Sequence, residues 1–95
     1  SMKLLVTGNI TKGFASWVQM QDGLAPEMEK VGIKLIWAGT NPDESAVFAV
    51  IEMEDPAQMK TFGEREDVAK IRAEAGVDVA STKVISPIGE DYLPD

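Results

Sequence analysis

The 95 residues contain no cysteine and no histidine. Without cysteine there is no disulfide, no thiolate chemistry and no Cys-based metal site. Without histidine, the commonest metal ligand and the usual acid–base group near neutral pH are both missing. Basic residues are few, 9 Lys and Arg against 16 Asp and Glu, for a net charge of −7. That balance repels a phosphate backbone and argues against a nucleic-acid partner. Solubility alone accounts for the acidity. No apolar run is long enough to span a bilayer, and no basic-then-apolar leader is present. The expectations are therefore no membrane partner and a cytoplasmic location. Ser1 ahead of Met2 has the form of a tag-removal remnant, so residues 2–95 are read as one domain. A chain this short buries roughly 60–68% of its unfolded surface, so a second copy would add useful stability.

Ala46–Met53 (A-V-F-A-V-I-E-M) is an apolar strand with bulky residues on both faces. Val47, Ile51 and Met53 point one way while Phe48 and Val50 point the other. Two helical segments can cover one face of a sheet. The second apolar face calls for another partner, and a second copy of the same sheet supplies it. Alternation alone does not say which parity meets the helices.

Lys3–Ile10 reads as a strand, with Leu4, Val6, Gly8 and Ile10 on one face and Lys3, Leu5, Thr7 and Asn9 on the other. Phe14–Val31 carries a helical stripe of Phe14, Trp17, Val18, Leu24, Met28 and Val31. Pro26 predicts a kink or a split into two helices, and Gly32 a stop. Lys34–Thr40 and Ala46–Glu54 form a hairpin around a five-residue polar loop, Asn41–Ser45. Asp55-Pro56 is a helix start, Asp as N-cap and Pro at the first helical position, with Gln58 placed for a capping box. Met59 and Phe62 form the buried side of that helix. Gly63 weakens it, and Glu66-Asp67 can open a second piece ending at Gly76. Asp78–Ile88 is the last strand, with Pro87 suited to an edge. The order βαββαβ is the ferredoxin-like arrangement, an α+β fold in which a four-stranded antiparallel sheet carries its helices on one face.

The helix with Trp17, the Gly32-Ile33 boundary, the Glu52-Met53-Glu54-Asp55-Pro56 junction and the Ala75-Gly76-Val77 exit resemble the dimeric α+β barrel superfamily. The likeness runs from about Met2 to Ile88 and is nearest to small bacterial domains of unknown function. It implies a homodimer made by stacking two sheets, with a pocket between sheet and helices in each subunit. Such families include cofactor-free quinol and anthrone monooxygenases, haem-degrading monooxygenases, lactone isomerases and stress-induced proteins. The haem-degrading branch places an Asn where Asn9 stands. It also ligates iron through a His, which this chain lacks, so no cofactor is expected.

Two roles fit Trp17 and Trp37: core filler, or walls of an aromatic-ligand pocket whose indole N–H groups orient a carbonyl. Gly39 beside Trp37 would leave room for a ligand. Asn9 fits either a strand-end amide satisfying loop backbone or, by the resemblance, a ligand-binding amide near the pocket mouth. Met20, Met28, Met53 and Met59 suit core gaps or an adaptable lining. Arg65 and Arg72 could clamp a carboxylate, but beside Glu64, Glu66 and Glu74 they read as surface ion pairs. Neither Asp43-Glu44 nor the Glu64–Asp67 cluster has the spacing of a calcium loop, so no metal site is expected. No nucleophile has a visible base partner. The reading is a homodimer that binds a small apolar or aromatic molecule through Asn9, Trp17 and Trp37. The alternative is a cofactor-independent monooxygenase or isomerase acting on a quinone-like aromatic substrate.

Overall fold

Strands β1 (Met2–Asn9) and β3 (Ala46–Met53) run antiparallel at the centre of a four-stranded sheet. Strand β2 (Ile33–Thr40) flanks β3, and β4 (Lys83–Ile88) flanks β1, both antiparallel, in the order β2-β3-β1-β4. The computed structural model describes all residues, 1–95. Helices α1 (Phe14–Lys30), α2 (Pro56–Glu64) and α3 (Glu66–Glu74) pack on one face of this sheet. This is the ferredoxin-like α+β fold that the element order predicts. The most apolar strand lies in the middle, where both of its neighbours can cover it.

Register assigns the two faces. Leu4 pairs with Ile51, Val6 with Ala49 and Gly8 with Val47, and this set meets the helices. Met20, Leu24 and Met28 of α1, Phe62 of α2 and Val68 of α3 close over it as one buried cluster. Leu5 pairs with Val50 and Thr7 with Phe48 on the opposite, open face. The parity left undecided by alternation is thus settled: Val47 and Ile51 belong to the core, Phe48 and Val50 to the outer face.

Three local points are decided by the structure. Helix α1 is a single helix through Pro26. Pro26 removes the bond to the Asp22 carbonyl, but both residues lie on the solvent side, where water can take the donor's place. Leu24 and Met28, buried on either side, hold the helix together. Strand β4 starts at Lys83 and not at Asp78, because Val79–Ser81 forms a 3₁₀ turn. Ser81 Oγ accepts the Asn9 N–H at 2.8 Å, taking the place of a ladder carbonyl. Third, β2 carries a bulge between Leu35 and Trp37, which leaves Ile36 unpaired.

The predicted cap is present. Asp55 Oδ1 accepts from Ala57 N–H at 2.9 Å, with Pro56 opening α2. The side chain of Gln58 makes no reciprocal bond; its Oε1 lies near Gly32. Asp55→Ala is expected to destabilise the protein by about 0.5–2 kcal/mol. A thermal melt checks this, and an unchanged midpoint would mean that the cap carries no stability. The break between α2 and α3 is bound by Arg65. It makes paired bonds to Asp67 at 3.1 and 2.7 Å, approaches Glu27 of α1 at 3.6 Å and lies over the Phe62 ring. The Arg65 guanidinium holds the Asp67 carboxyl below its ordinary value, and Asp67 in turn raises Arg65.

Candidate functional site

Between the helices and the sheet lies a cavity of about 290 Å³. Its floor comes from the sheet: Val6, Gly8, Val47, Ala49 and Ile51. Ala49 is small where a bulkier residue would fill the space above the central strands. The roof comes from Trp17, Met20 and Leu24 of α1, with Met59 and Phe62 of α2. The volume is near the lower end of small-molecule pockets, which run from about 300 Å³ upward.

Trp17 lines this cavity, as expected from its stripe. Its indole stacks on Phe14, one helical turn earlier, with centroids 5.8 Å apart and planes 8° from parallel. The N-terminus of α1 is held from across the fold. Phe14 N–H donates to Glu44 Oε1 at 2.8 Å, so the β2–β3 loop caps the helix that carries Trp17. Asn41 Oδ1 orders that loop by accepting from Ser45 and Ala46 N–H groups. In the same loop, bonds from Ser45 hold the Asp43 carboxyl below its usual value.

Trp37 does not line the cavity. Strict alternation would put it with Leu35 on the helix side. The bulge at Ile36 turns it over, so that Trp37 stands opposite Val50 and Gly39 opposite Phe48 on the outer face. Gly39 does leave room, but for the indole itself: a Cβ there would stand 2.8 Å from Trp37 Cζ2. Trp37 is 55% exposed on this face. Asn9 also lies away from the cavity. It shares the parity of Leu5 and Thr7 and is exposed, while its backbone binds Ser81 Oγ and the Asp78 N–H. Of the three residues proposed from sequence, one is on the cavity wall and two are on the opposite side of the sheet.

Two side chains supply the cavity's polar end. Arg72, in the last turn of α3, donates to Thr82 Oγ1 at 2.8 Å and makes no ion pair. Burial pushes its guanidinium below the usual arginine value. Backbone bonds fix this turn: Ala75 and Val77 N–H groups donate to the Arg72 carbonyl, and Val77 bridges to Ile10. Thr82 packs against the bare backbone of Gly8, where a Cβ would meet its Oγ1 at 3.2 Å. Thr7, Gln21 and Lys60 complete the polar lining. Sequence reading sets Arg72 among surface ion pairs because acidic residues are its chain neighbours. Its helical stripe was the available signal, since Val68 and Ile71 flank it.

No protein-family model matches the chain, and no curated protein matches it either. Among solved structures, the fold is shared by a Deinococcus radiodurans protein described as a candidate antibiotic biosynthesis monooxygenase. It aligns with a TM-score of 0.58 at 11% identity, over 100% of this chain and 97% of that one. L-rhamnose mutarotase from Formosa agariphila aligns with a TM-score of 0.60 at 18% identity, over 100% of both chains. At such identities the likeness shows the fold alone, a ferredoxin-like α+β fold. No helix is long and apolar enough to cross a membrane.

Proposed function

We propose that this chain is one protomer of a homodimer and binds a small, largely apolar molecule between its helices and its sheet. The observation that carries the binding reading is the cavity itself: an apolar hollow walled by Trp17 and the core methionines, with polar groups confined to a few positions. A hollow of this kind loses packing contacts that a filled core would keep. An apolar occupant restores them. The dimer reading rests on the outer face, where Leu5, Phe48, Val50 and Trp37 form an apolar centre with no covering element in the chain. Its Glu52 stands between Lys3 and Lys34, so charges of both signs occupy one end of that face. A cytoplasmic location fits the same reading.

The second reading is a cofactor-independent monooxygenase or isomerase acting on a quinone-like aromatic substrate. The structural neighbours described as a monooxygenase and a mutarotase are compatible with it. The lining weighs against it, because a catalyst needs a group that can take or give a proton near neutral pH. The wall offers no carboxylate, imidazole or phenol, and its amine and guanidinium belong to Lys60 and Arg72.

Trp37→Phe isolates the cavity fluorophore, since Trp17 is then the only indole. Titration of that variant with menadione and flat aromatic acids is expected to quench Trp17 saturably. No saturable response to any of them would remove the binding reading. Oxygen uptake with anthrone, oxidised to anthraquinone with release of water, separates the two readings. Turnover above the uncatalysed rate would favour the enzyme.

A further inference from the structure

We propose that the ligand of this cavity is an anion, a compact apolar molecule carrying a carboxylate, and that Arg72 holds its charge. This rests on the cavity being a binding site, and it names the class of molecule the site takes. The first observation is one of sign. The protein carries a net charge of −7, yet the only charged side chains on the cavity wall are Lys60 and Arg72, both cationic. No Asp or Glu reaches the lining. An apolar hollow in an acidic protein thus has a basic end.

The second observation is the unused capacity of Arg72. Arg65 already has its carboxylate, with two bonds to Asp67, an approach to Glu27 and an aromatic face beneath it. Arg72 has Thr82 Oγ1 alone. A guanidinium offers five donors in a planar fork that matches a carboxylate with two parallel bonds. Its partial burial withdraws water from the group and lowers its proton affinity. A charge stripped of water without a counter-ion costs free energy, and a bound carboxylate offsets that cost.

The third observation is position. Arg72 is fixed from behind by the α3 C-terminal turn and from the side by Thr82, which itself fits against Gly8. The guanidinium is therefore held at one end of the hollow. Lys60 stands on α2 as a second, exposed cation at the wall. The apolar body of a ligand would lie along Val47, Ala49 and Trp17 with its carboxylate toward Arg72.

The test compares two probes of equal shape, 2-naphthoate and the neutral 2-naphthylmethanol, by NMR titration of the two indole N–H signals. Trp37→Phe assigns them. The expected result is that 2-naphthoate binds about tenfold or more tighter than the alcohol, as for a hydrogen-bonded charge. It should move the Trp17 signal and leave that of Trp37 in place. Arg72→Met should bring the two probes to equal affinity without weakening the alcohol. Arg72→Lys, which keeps the charge but not the fork, should retain part of the preference. If Arg72→Met does not fold, the wild type still decides. Added sodium chloride should then weaken 2-naphthoate and not the alcohol. Equal binding of both probes at Trp17 would overturn the anion assignment and leave the cavity reading standing. Binding of neither probe would overturn both.

Discussion

Val50→Asp is expected to leave the protein a folded monomer where the wild type sediments as a dimer at micromolar concentration. Val50 lies at the middle of the outer face, opposite Leu5 on β1 and Trp37 on β2. In a stacked pair of sheets a carboxylate there would be buried with no cation opposite it. Taking such a charge out of water costs several kcal/mol even after relaxation. Two copies carry it twice across a two-fold interface. In the separated protomer the same position faces solvent, so the core beneath it is undisturbed. Val47→Asp, three residues earlier and on the other parity, is the control. Val47 is 4% exposed, and a charge there should unfold the chain at any concentration. A wild type that stays monomeric with no concentration dependence would end the dimer proposal.

Met53→Ala is expected to lower stability by about 2–5 kcal/mol, the usual cost of emptying a large core site. Met53 is 1% exposed, paired with Met2 on β1 and Ile33 on β2. A domain of this size has roughly 5–15 kcal/mol in total. The loss should show as a fall of about 4–8 °C in midpoint for each kcal/mol. Because the site is inside one protomer, the size of the fall should not depend on protein concentration. Phe48→Ala makes the contrast, being on the outer face opposite Thr7. Its effect should grow as the protein is diluted, because it acts through association. If both variants behaved alike under dilution, the division between core face and dimer face would be wrong.

Much of this molecule is written in local chemistry. The hairpin, the Asp55-Pro56 helix start, the stop at Gly32 and the split at Gly63–Glu66 each depend on neighbours a few residues apart, and each is present. The place of β3 at the centre follows from its two apolar faces, which solvent would penalise at an edge. The parity of β1 was legible too. Asn9 alternates away from Leu4 and Val6, so its place off the cavity follows once those two are assigned to the core.

The rest depends on contacts between residues far apart in the chain. The side on which Trp37 falls depends on one unpaired residue, Ile36, and a single-residue shift exchanges the faces of everything after it. Strand β4 begins late, at Lys83, with Ser81 bonded to the Asn9 N–H from 72 positions away. The state of Arg72 is decided in the same manner. Acidic neighbours along α3 suggest an ion pair, whereas packing of α3 beside the Val79–Ser81 turn brings the guanidinium to Thr82 and the cavity. Composition and spacing determined the elements and their order. Which side chains meet at the cavity was decided by the tertiary structure, because burial and partner distance arise only when strands and helices from both halves of the chain come together.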